Sequence, residues 1–592
     1  MENEIKPNSF LYFSKIMEKI SQRSGRIEIQ DMLTEYFRDV ISINKNDLIY
    51  VIYLCTHTIY PEYKNQQLNL GEKILFDVLK ECTSKDITIL KKEYTKIGDF
   101  GTIGMTYRTR QLFISKKTLS AKDVVYALRE IAEISGIKSR IYKIRKMLDL
   151  ISSCTPIEIK FLFRLFEENL KVKFALKTVL AAFAKLYDSA YIDKIKEAYN
   201  RRPDIEQLVI EILTNGISTV DTNFNIEPGI PLKPMLAQPT KNISTAFKRV
   251  ENKKFTCENK YDGERIQIHR HNNQMTLYSR NLENTTYKYF DIIIKSNTDK
   301  DFVIDGEVVA YDPEQKKILT FQKLSTRKRK DFSKKETVNV CVFVFDILYF
   351  DGLELINKSL EDRRAILHKE FTEVEGKFFF SEFKDCENIE EVDEFFRQSI
   401  NSQYEGIMIK LLGDGSNYIP SQRCNSWIKL KKDYIESGSD SFDLVVVGAY
   451  YGKGKRTGWY GGFLLASYNE NDEMFETVCK IGTGFDDSLL SKLYEEVNNY
   501  VVSIPSRVKY KEQTKPDVWI TPKFVWEIKA AAVSASPIYC CGIDIEEKGF
   551  SLRFPRFLNE REDKDVTDAI TSLQIVMNYK EYEGESKVLD DI

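Results

Sequence analysis

Histidine is scarce in this chain: four in 592 residues, His57, His269, His271 and His368, with no cysteine spaced to join the close pair His269 and His271. That excludes a zinc site of the usual Cys and His spacing. The ten cysteines include no C-x-x-C pair, and Cys540 and Cys541 are adjacent residues that rarely bridge each other, so a reducing compartment is expected. No run of eighteen apolar residues occurs, and the opening MENEIKPNSF lacks the charged-then-apolar build of a signal peptide. A soluble intracellular protein with no membrane partner is therefore expected. An excess of either charge is missing too: the formal net charge is −2, so a polyanionic partner would have to be met by local patches.

What is present is globular material, 42% hydrophobic and 12% aromatic, in a chain longer than one core usually organises; three or four domains are expected. Basic clusters stand at TRKRK (326–330), KLKK (429–432) and GKGKR (452–456), each also readable as a solvated face. Over 1–225 the apolar spacing is helical: Leu176, Val179, Leu180, Phe183 and Leu186 share a stripe, and Val124, Leu128 and Ile131 repeat it, predicting an all-α domain. NIEPGIPLKPMLAQP (225–239), with four prolines, cannot continue a helix and predicts an extended crossover. Short β-branched and aromatic runs follow, RIQIH, FVIDGEVVAY, VCVFVFDILYF, EGIMIK and SWIKLKK, with helical LEDRRAILHKEF between them, predicting an α+β domain over 226–435. The strands FDLVVVGAYY, GGFLLASYN, FETVCKIGTGF and KFVWEIKAAAVS, with glycine-rich turns, predict a small β-barrel over 436–592, for which the oligonucleotide-binding (OB) fold is the leading candidate.

In CENKYDGERIQIHR (257–270), Lys260 stands before Tyr-Asp-Gly and an alternating run. A lysine attacks an electrophile only when neutral, and its unperturbed pKa of ~10.4 keeps it protonated at neutral pH. Nearby cations lower such a pKa, and Arg265, Lys410, Lys429 and Lys431 would supply them if their strands share one cleft. Asp262-Gly263 predicts a tight turn, read alone as a hairpin with an exposed lysine, before a strand with Arg265, Gln267 and His269 on one face. Downstream come Arg280 in YSRN, Glu307 in IDGEV, Phe345 in FVFD, Glu405 and Lys410 in EGIMIK, and Lys429 and Lys431 in WIKLKK. Lys429 and Lys431, two apart in a strand beside Trp427, can reach one phosphate. Glu405 and Lys410, five apart, fall on opposite faces of a regular strand, so either Gly406 forms a bulge or Glu405 precedes the strand. Plainer readings stand beside these: Phe345 as core with Phe343 and Ile347 on its face, Glu307 as a sheet-edge carboxylate, Arg280 as a surface arginine.

This ordered set resembles the covalent nucleotidyltransferases, and among them the ATP-dependent DNA ligases of the eukaryotic replicative type. The likeness extends through TRKRKD, KIGTGFDD and SLRFPRF, and into the helical region through GIKSRIYKIRKMLDLISSC and ENLKVKFALKTVLAAF. It implies an all-α DNA-binding domain, an adenylation (nucleotidyltransferase) domain and an OB-fold barrel, acting as a monomer that encircles nicked duplex DNA. It implies ATP as substrate and Mg²⁺ as cofactor, with nick sealing in replication, repair and recombination.

Position by position, the resemblance implies that Lys260 is adenylated and that Glu258 reads the adenine amino group. Arg265 and Arg280 would hold ribose and phosphate, Phe345 would stack on the purine, and Glu307 and Glu405 would ligate Mg²⁺. Lys410, Lys429 and Lys431 would neutralise the triphosphate. Phe321 and Phe554 would press on the minor groove beside the nick, with Arg556 near it, and Arg140, Lys143, Arg145, Lys171 and Lys173 would grip phosphates. Lys173-Phe174 stands where relatives tend to carry a small residue. The family's long N-terminal extension, with its nuclear signal and sliding-clamp motif, does not precede the helical region here, which leaves clamp binding and nuclear import through it open. A nuclear protein is expected, or a cytoplasmic one if the AT-biased composition reflects a large DNA virus. Two rivals remain: an mRNA-capping guanylyltransferase, which needs neither the helical domain nor SLRFPRF, and a non-catalytic DNA-binding derivative, which has no reason to keep Lys260, Glu307, Glu405, Lys429 and Lys431 together.

Overall fold

The computed structural model describes residues 5–108, 118–240, 242–327, 338–402, 404–431, 441–503 and 507–580, and the backbone of the last helix to 588. Lys328–Lys330 of the first basic cluster and Lys432 of the second lie outside the described residues. The chain divides into two compact units, one of 1–83 with 107–435 and one of 84–106 with 436–592. Among the described residues, no helix is long and apolar enough to cross a membrane.

Every regular element described before Leu236 is a helix or 3-10 turn, as the spacing predicts. Helix Ala121–Glu133 starts at a capping box, in which the Ser120 hydroxyl takes the Asp123 N–H while the Asp123 carboxylate takes the Ser120 N–H. It buries Val124, Leu128 and Ile131. Helix Leu176–Lys185 likewise buries Val179, Leu180 and Phe183. Helix Pro156–Phe166 has Pro at its first turn and is buried all round from Glu158 onward, which places it at the centre of the helical region.

The second half of the same unit is built on strands β1 (Leu236–Thr240), β2 (Phe255–Lys260), β3 (Glu264–His271), β4 (Gln274–Ser279), β5 (Phe302–Asp312), β6 (Val340–Phe350), β7 (Phe378–Phe380), β8 (Phe383–Cys386), β9 (Gly406–Leu411) and β10 (Arg423–Lys431). They form two sheets, β1-β10-β9-β2-β8 and β7-β6-β5-β3-β4. The Asp262-Gly263 turn is therefore a crossover between sheets rather than a hairpin, since β2 and β3 do not pair. A Cβ on Gly263 would run into the Val308 carbonyl of β5, so the crossover needs glycine there. The proline-rich crossover holds no helix, as expected, but it turns at its start, where the Ile230 N–H donates to the Glu227 carbonyl at 3.0 Å; its end becomes β1, a parallel edge strand on β10 that tolerates Pro239 because an edge can spare an N–H.

The first sheet packs one face, Cys257, Ile407, Ile409, Ile428 and Leu430, on helices Ile243–Val250 and Ile389–Asn401. The second buries Ile266, Ile268, Ile304, Val308, Val342 and Val344 on its own outer side. Both inner faces meet through Trp427 of β10, Val303 of β5 and Leu348 of β6.

In the other unit, strands β11 (Ser441–Tyr451), β12 (Tyr460–Asn469), β13 (Met474–Ile481), β14 (Val525–Lys529) and β15 (Arg556–Glu560) are the longer members of an eight-stranded sheet. Its curl encloses Phe463, Leu465, Ile520, Trp526 and Ile528. Register shifts in β11 against β12 and in β12 against β13 supply the bulges that such curvature requires.

Candidate active site

Strand alternation decides what the first sheet offers to its inner side. With Cys257, Ile407, Ile409, Ile428 and Leu430 turned outward, Glu258 and Lys260 on β2, Met408 and Lys410 on β9, and Trp427, Lys429 and Lys431 on β10 point inward. Glu405 lies just before β9, and its N–H donates to the Lys260 carbonyl at 3.0 Å. Gly406 has φ +143°, and this lets Glu405 turn onto the inner face that its odd spacing from Lys410 would deny it. The Glu405 carboxylate accepts from Lys260 Nζ on one oxygen and from Lys431 Nζ on the other. Burial pushes its pKa up, but the two ammonium groups outweigh burial and hold it below the ordinary glutamate value. Lys429 has no carboxylate partner among the described residues; burial lowers its pKa, and the charges of Lys431, Lys260, Arg280 and Arg423 lower it further.

The second sheet brings Arg265 and Glu307 to the same space. Burial pushes the Glu307 carboxyl up to about 7, with Lys260 and Arg265 opposing the shift and Glu405 adding to it. Arg265 donates to both carboxylate oxygens of buried Asp305, at 3.1 and 2.6 Å, to the Met235 carbonyl at 2.6 Å and to the Tyr418 hydroxyl at 3.1 Å. Phe345 is the extra residue of a bulge, since Asp305 pairs with Asp346 while Gly306 pairs with Val344. The bulge corrects the expected face: Ile347 falls among the outer residues of the sheet, whereas Phe345 stays inside against Trp427, ring centroids 5.9 Å apart.

Lys410, expected at phosphate with the other lysines, is almost fully buried. Its Nζ donates to Glu258 at 2.6 Å and lies 4.5 Å from the ring centroids of both Phe345 and Trp427. Burial pushes Glu258 up in pKa, and the Lys410 charge opposes it. This pair forms the floor of the inner face, while Lys260, Lys431, Glu405 and Glu307 are only partly covered.

Several residues at the site escaped the sequence reading. Asp305 shares the inward face with Glu307 two positions away, so the period of β5 could have found it. Tyr418, which donates to Asp305 at 2.8 Å and accepts from the Met235 N–H at 3.0 Å, sits in a loop with no local signature. Asn259 donates to Glu382 at 2.8 Å and Tyr261 stacks on Phe343 at 4.2 Å, so both neighbours of Lys260 are fixed.

The expected DNA contacts differ in exposure and pairing. Arg145 and Lys173 are exposed; Arg140 is exposed and paired with Asp77. Lys171 pairs with Glu167 at 3.4 Å. Lys143 is a correction: its Nζ is turned inward to the Leu68 carbonyl at 2.5 Å, and burial lowers its pKa, so it is no surface phosphate grip. Ile137, Ile141 and Tyr142 are exposed among these cations. Phe321 begins helix Phe321–Ser325, half-covered by the outer core of the second sheet. Phe554 is 74% exposed with φ +51°, and Arg556 beside it is exposed.

Comparison with known proteins bears on all of this. Residues 9–184 match the family model for the DNA ligase N terminus, 234–431 that for the ATP dependent DNA ligase domain, and 456–564 that for the ATP dependent DNA ligase C terminal region. DNA ligase 1 of Saccharomyces cerevisiae is 41% identical over 96% of this chain and 79% of its own length. DNA ligase 1 of Drosophila melanogaster is 37% identical over 97% and 81%. A DNA ligase of Saccharolobus islandicus is 34% identical over 96% of both chains. The solved structure named Pmar-Lig_Pre shares the fold, with a TM-score of 0.54 at 18% identity over 93% of this chain and 99% of that one.

Proposed function

We propose, because this chain belongs to the ATP-dependent DNA ligase family, that Lys260 is the residue it adenylates. The enzyme seals single-strand nicks in duplex DNA at the expense of ATP, and roles in replication and repair follow from the family. Lys260 Nζ attacks the α-phosphate and expels pyrophosphate; the AMP passes to the 5′-phosphate of the nick; the 3′-hydroxyl then attacks that phosphate and releases AMP. The observation that carries the assignment is the convergence of Lys260, Lys431, Glu405 and Glu307 on facing sheets.

Glu405, held ionised between two ammonium groups, would fix Lys260 Nζ in the cleft and release it when a phosphate arrives to pair with Lys431. Lys429 and Lys431 share one face and suit the phosphate oxygens, with Arg280 within electrostatic reach. Glu258 and Lys410 form the polar floor on which the base would rest beside Phe345, and Arg265, braced by Asp305, would face the ribose. Two carboxylates beside the nucleophile fit Mg²⁺, and Glu307 and Glu405 would hold it. When bound, the ion would neutralise phosphate oxygens as charge develops.

We read the functional domains as 1–225, 226–435 and 436–592, and the curled eight-stranded sheet as an OB fold. Arg140, Arg145, Lys171 and Lys173 with Phe321, Phe554 and Arg556 would contact DNA, by a monomer working in the nucleus. Incubation with labelled ATP or GTP tests the central reading: ATP alone should label the protein, on Lys260, and Lys260→Arg should take no label because a guanidinium stays protonated. Labelling by GTP, or an adduct retained in that variant, would overturn it.

A further inference from the structure

Arg280 is exposed and has no hydrogen-bond or ion-pair partner among the described residues, so its backbone turn, and no side-chain contact, sets where it stands. That turn is tightly knit. Ser279 N–H donates to the Glu283 carbonyl at 2.8 Å, Leu282 N–H to the Ser279 carbonyl at 2.8 Å, and the Ser279 hydroxyl accepts from the Asn281 and Glu283 N–H groups at 3.2 Å each. Its base is Asn284, which bridges back to Tyr278 at the end of β4.

Both main-chain groups of Asn284 are taken by one side chain from the helical region. Asn65 Oδ1 accepts from the Asn284 N–H at 2.9 Å, and Asn65 Nδ2 donates to the Asn284 carbonyl at 2.7 Å. A carboxamide has one donor face and one acceptor face, and here it pairs as a neighbouring strand would. Asn65 is itself held: it closes the 3-10 turn Glu62–Lys64 with φ +52°, and Tyr63 in that turn donates to buried Asp204 at 2.6 Å. Asp204 caps helix Ile205–Asn215. A hydrogen-bonded path thus runs from the helix cap through Tyr63 and Asn65 to the base of the Arg280 turn.

We propose that Asn65 is a positioning residue through which the helical region sets the Arg280 turn for the nucleotide-phosphate chemistry, an inference that rests on the reading of Arg280 given above. The clip is polar, exposed and only two hydrogen bonds strong, so the energy it can lend to one orientation is small and reversible.

The test is a double-mutant cycle in the full chain. Asn65→Gly deletes the carboxamide and suits a positive φ, so folding should survive. The KM for ATP in self-adenylation should rise about three- to tenfold while the thermal midpoint stays near that of the parent. In an Arg280→Ala background the same change should add nothing, because the turn then carries nothing to position. Asn65→Asp, which keeps the acceptor but loses the donor, should fall between. If Arg280→Ala leaves the ATP KM unchanged, the reading of Arg280 fails and this inference with it. If Arg280→Ala raises KM but Asn65→Gly is silent, or acts equally in both backgrounds, the inference alone is overturned.

Discussion

Two glutamates flank Lys260, and their environments push them apart. Glu405 is held ionised by two ammonium groups, while burial lifts Glu307 to about 7. A carboxyl whose folded-state pKa is raised stabilises the fold below its unfolded value, and that contribution is lost as pH climbs through the folded value. With metal chelated, Glu307→Gln should therefore gain stability over the parent as pH rises from about 4.5 to 7, reaching on the order of 2 to 3 kcal/mol above pH 8. Denaturant melts across pH in EDTA check this, and a constant difference would mean that folding does not raise the Glu307 pKa. Self-adenylation of the same variant should be poor at every pH, since an amide is a weaker ligand for a hard cation than a carboxylate. The residue types at the site were legible because the chemistry needs them; the partners were not. Lys260 and Glu405 are 145 residues apart and meet only when β9 lies beside β2, and Lys410 looks like any phosphate lysine until Glu258 is found beneath it.

At the level of elements, single glycines do what the strand pattern cannot. A Cβ on Gly406 would collide with the Leu430 carbonyl of β10, at a φ that side chains avoid. Gly406→Ala should cost about 2 to 4 kcal/mol and remove most adenylation, because Glu405 would no longer reach Lys260 and Lys431. Thermal melts and ATP labelling, measured together, separate this from a fault in folding alone: a variant that melts normally and labels normally would show that the turn is dispensable. β6 was read to its ends and most other long strands within two residues, since β-branched and aromatic runs bounded by turns report burial directly. β2 was harder. FTCENK alternates between an outward cysteine and inward charges, and charge reads as loop until a second charged face is known to oppose it. The tight turn at Asp262-Gly263 is legible, but its plain reading as a hairpin fails, because a D-G turn reports a reversal of chain and not which sheet receives it.

For the whole molecule, a net charge of −2 leaves affinity for DNA to local patches. Binding through phosphate contacts releases counterions, so affinity for a nick should fall steeply with salt and hardly depend on sequence. Arg145→Glu with Lys173→Glu, both exposed and outside the lysine cleft, should weaken nick binding about tenfold or more and make the salt slope shallower by about 2, leaving self-adenylation intact. Band shifts over a salt series with nicks in two unrelated sequences measure both. An unchanged slope would move the DNA-binding surface elsewhere, and a strong sequence preference would refute phosphate-led binding.

The edge strand β1 has a consequence for how the catalytic part can be isolated. It is the tail of the proline-rich crossover, and it is hydrogen-bonded alongside the strand that bears Lys429 and Lys431. Just before it, the Met235 carbonyl receives Arg265, and the N–H and carbonyl of Leu232 are bonded to the Gln267 amide at 3.1 and 2.6 Å. A polypeptide beginning at Phe255 would hold every lysine and carboxylate of the cleft and still lack the strap that keeps them in register. A protease that severs the backbone between Gly229 and Thr240 should thus silence adenylation without removing one reactive group, because the enzyme's working part begins where its linker begins.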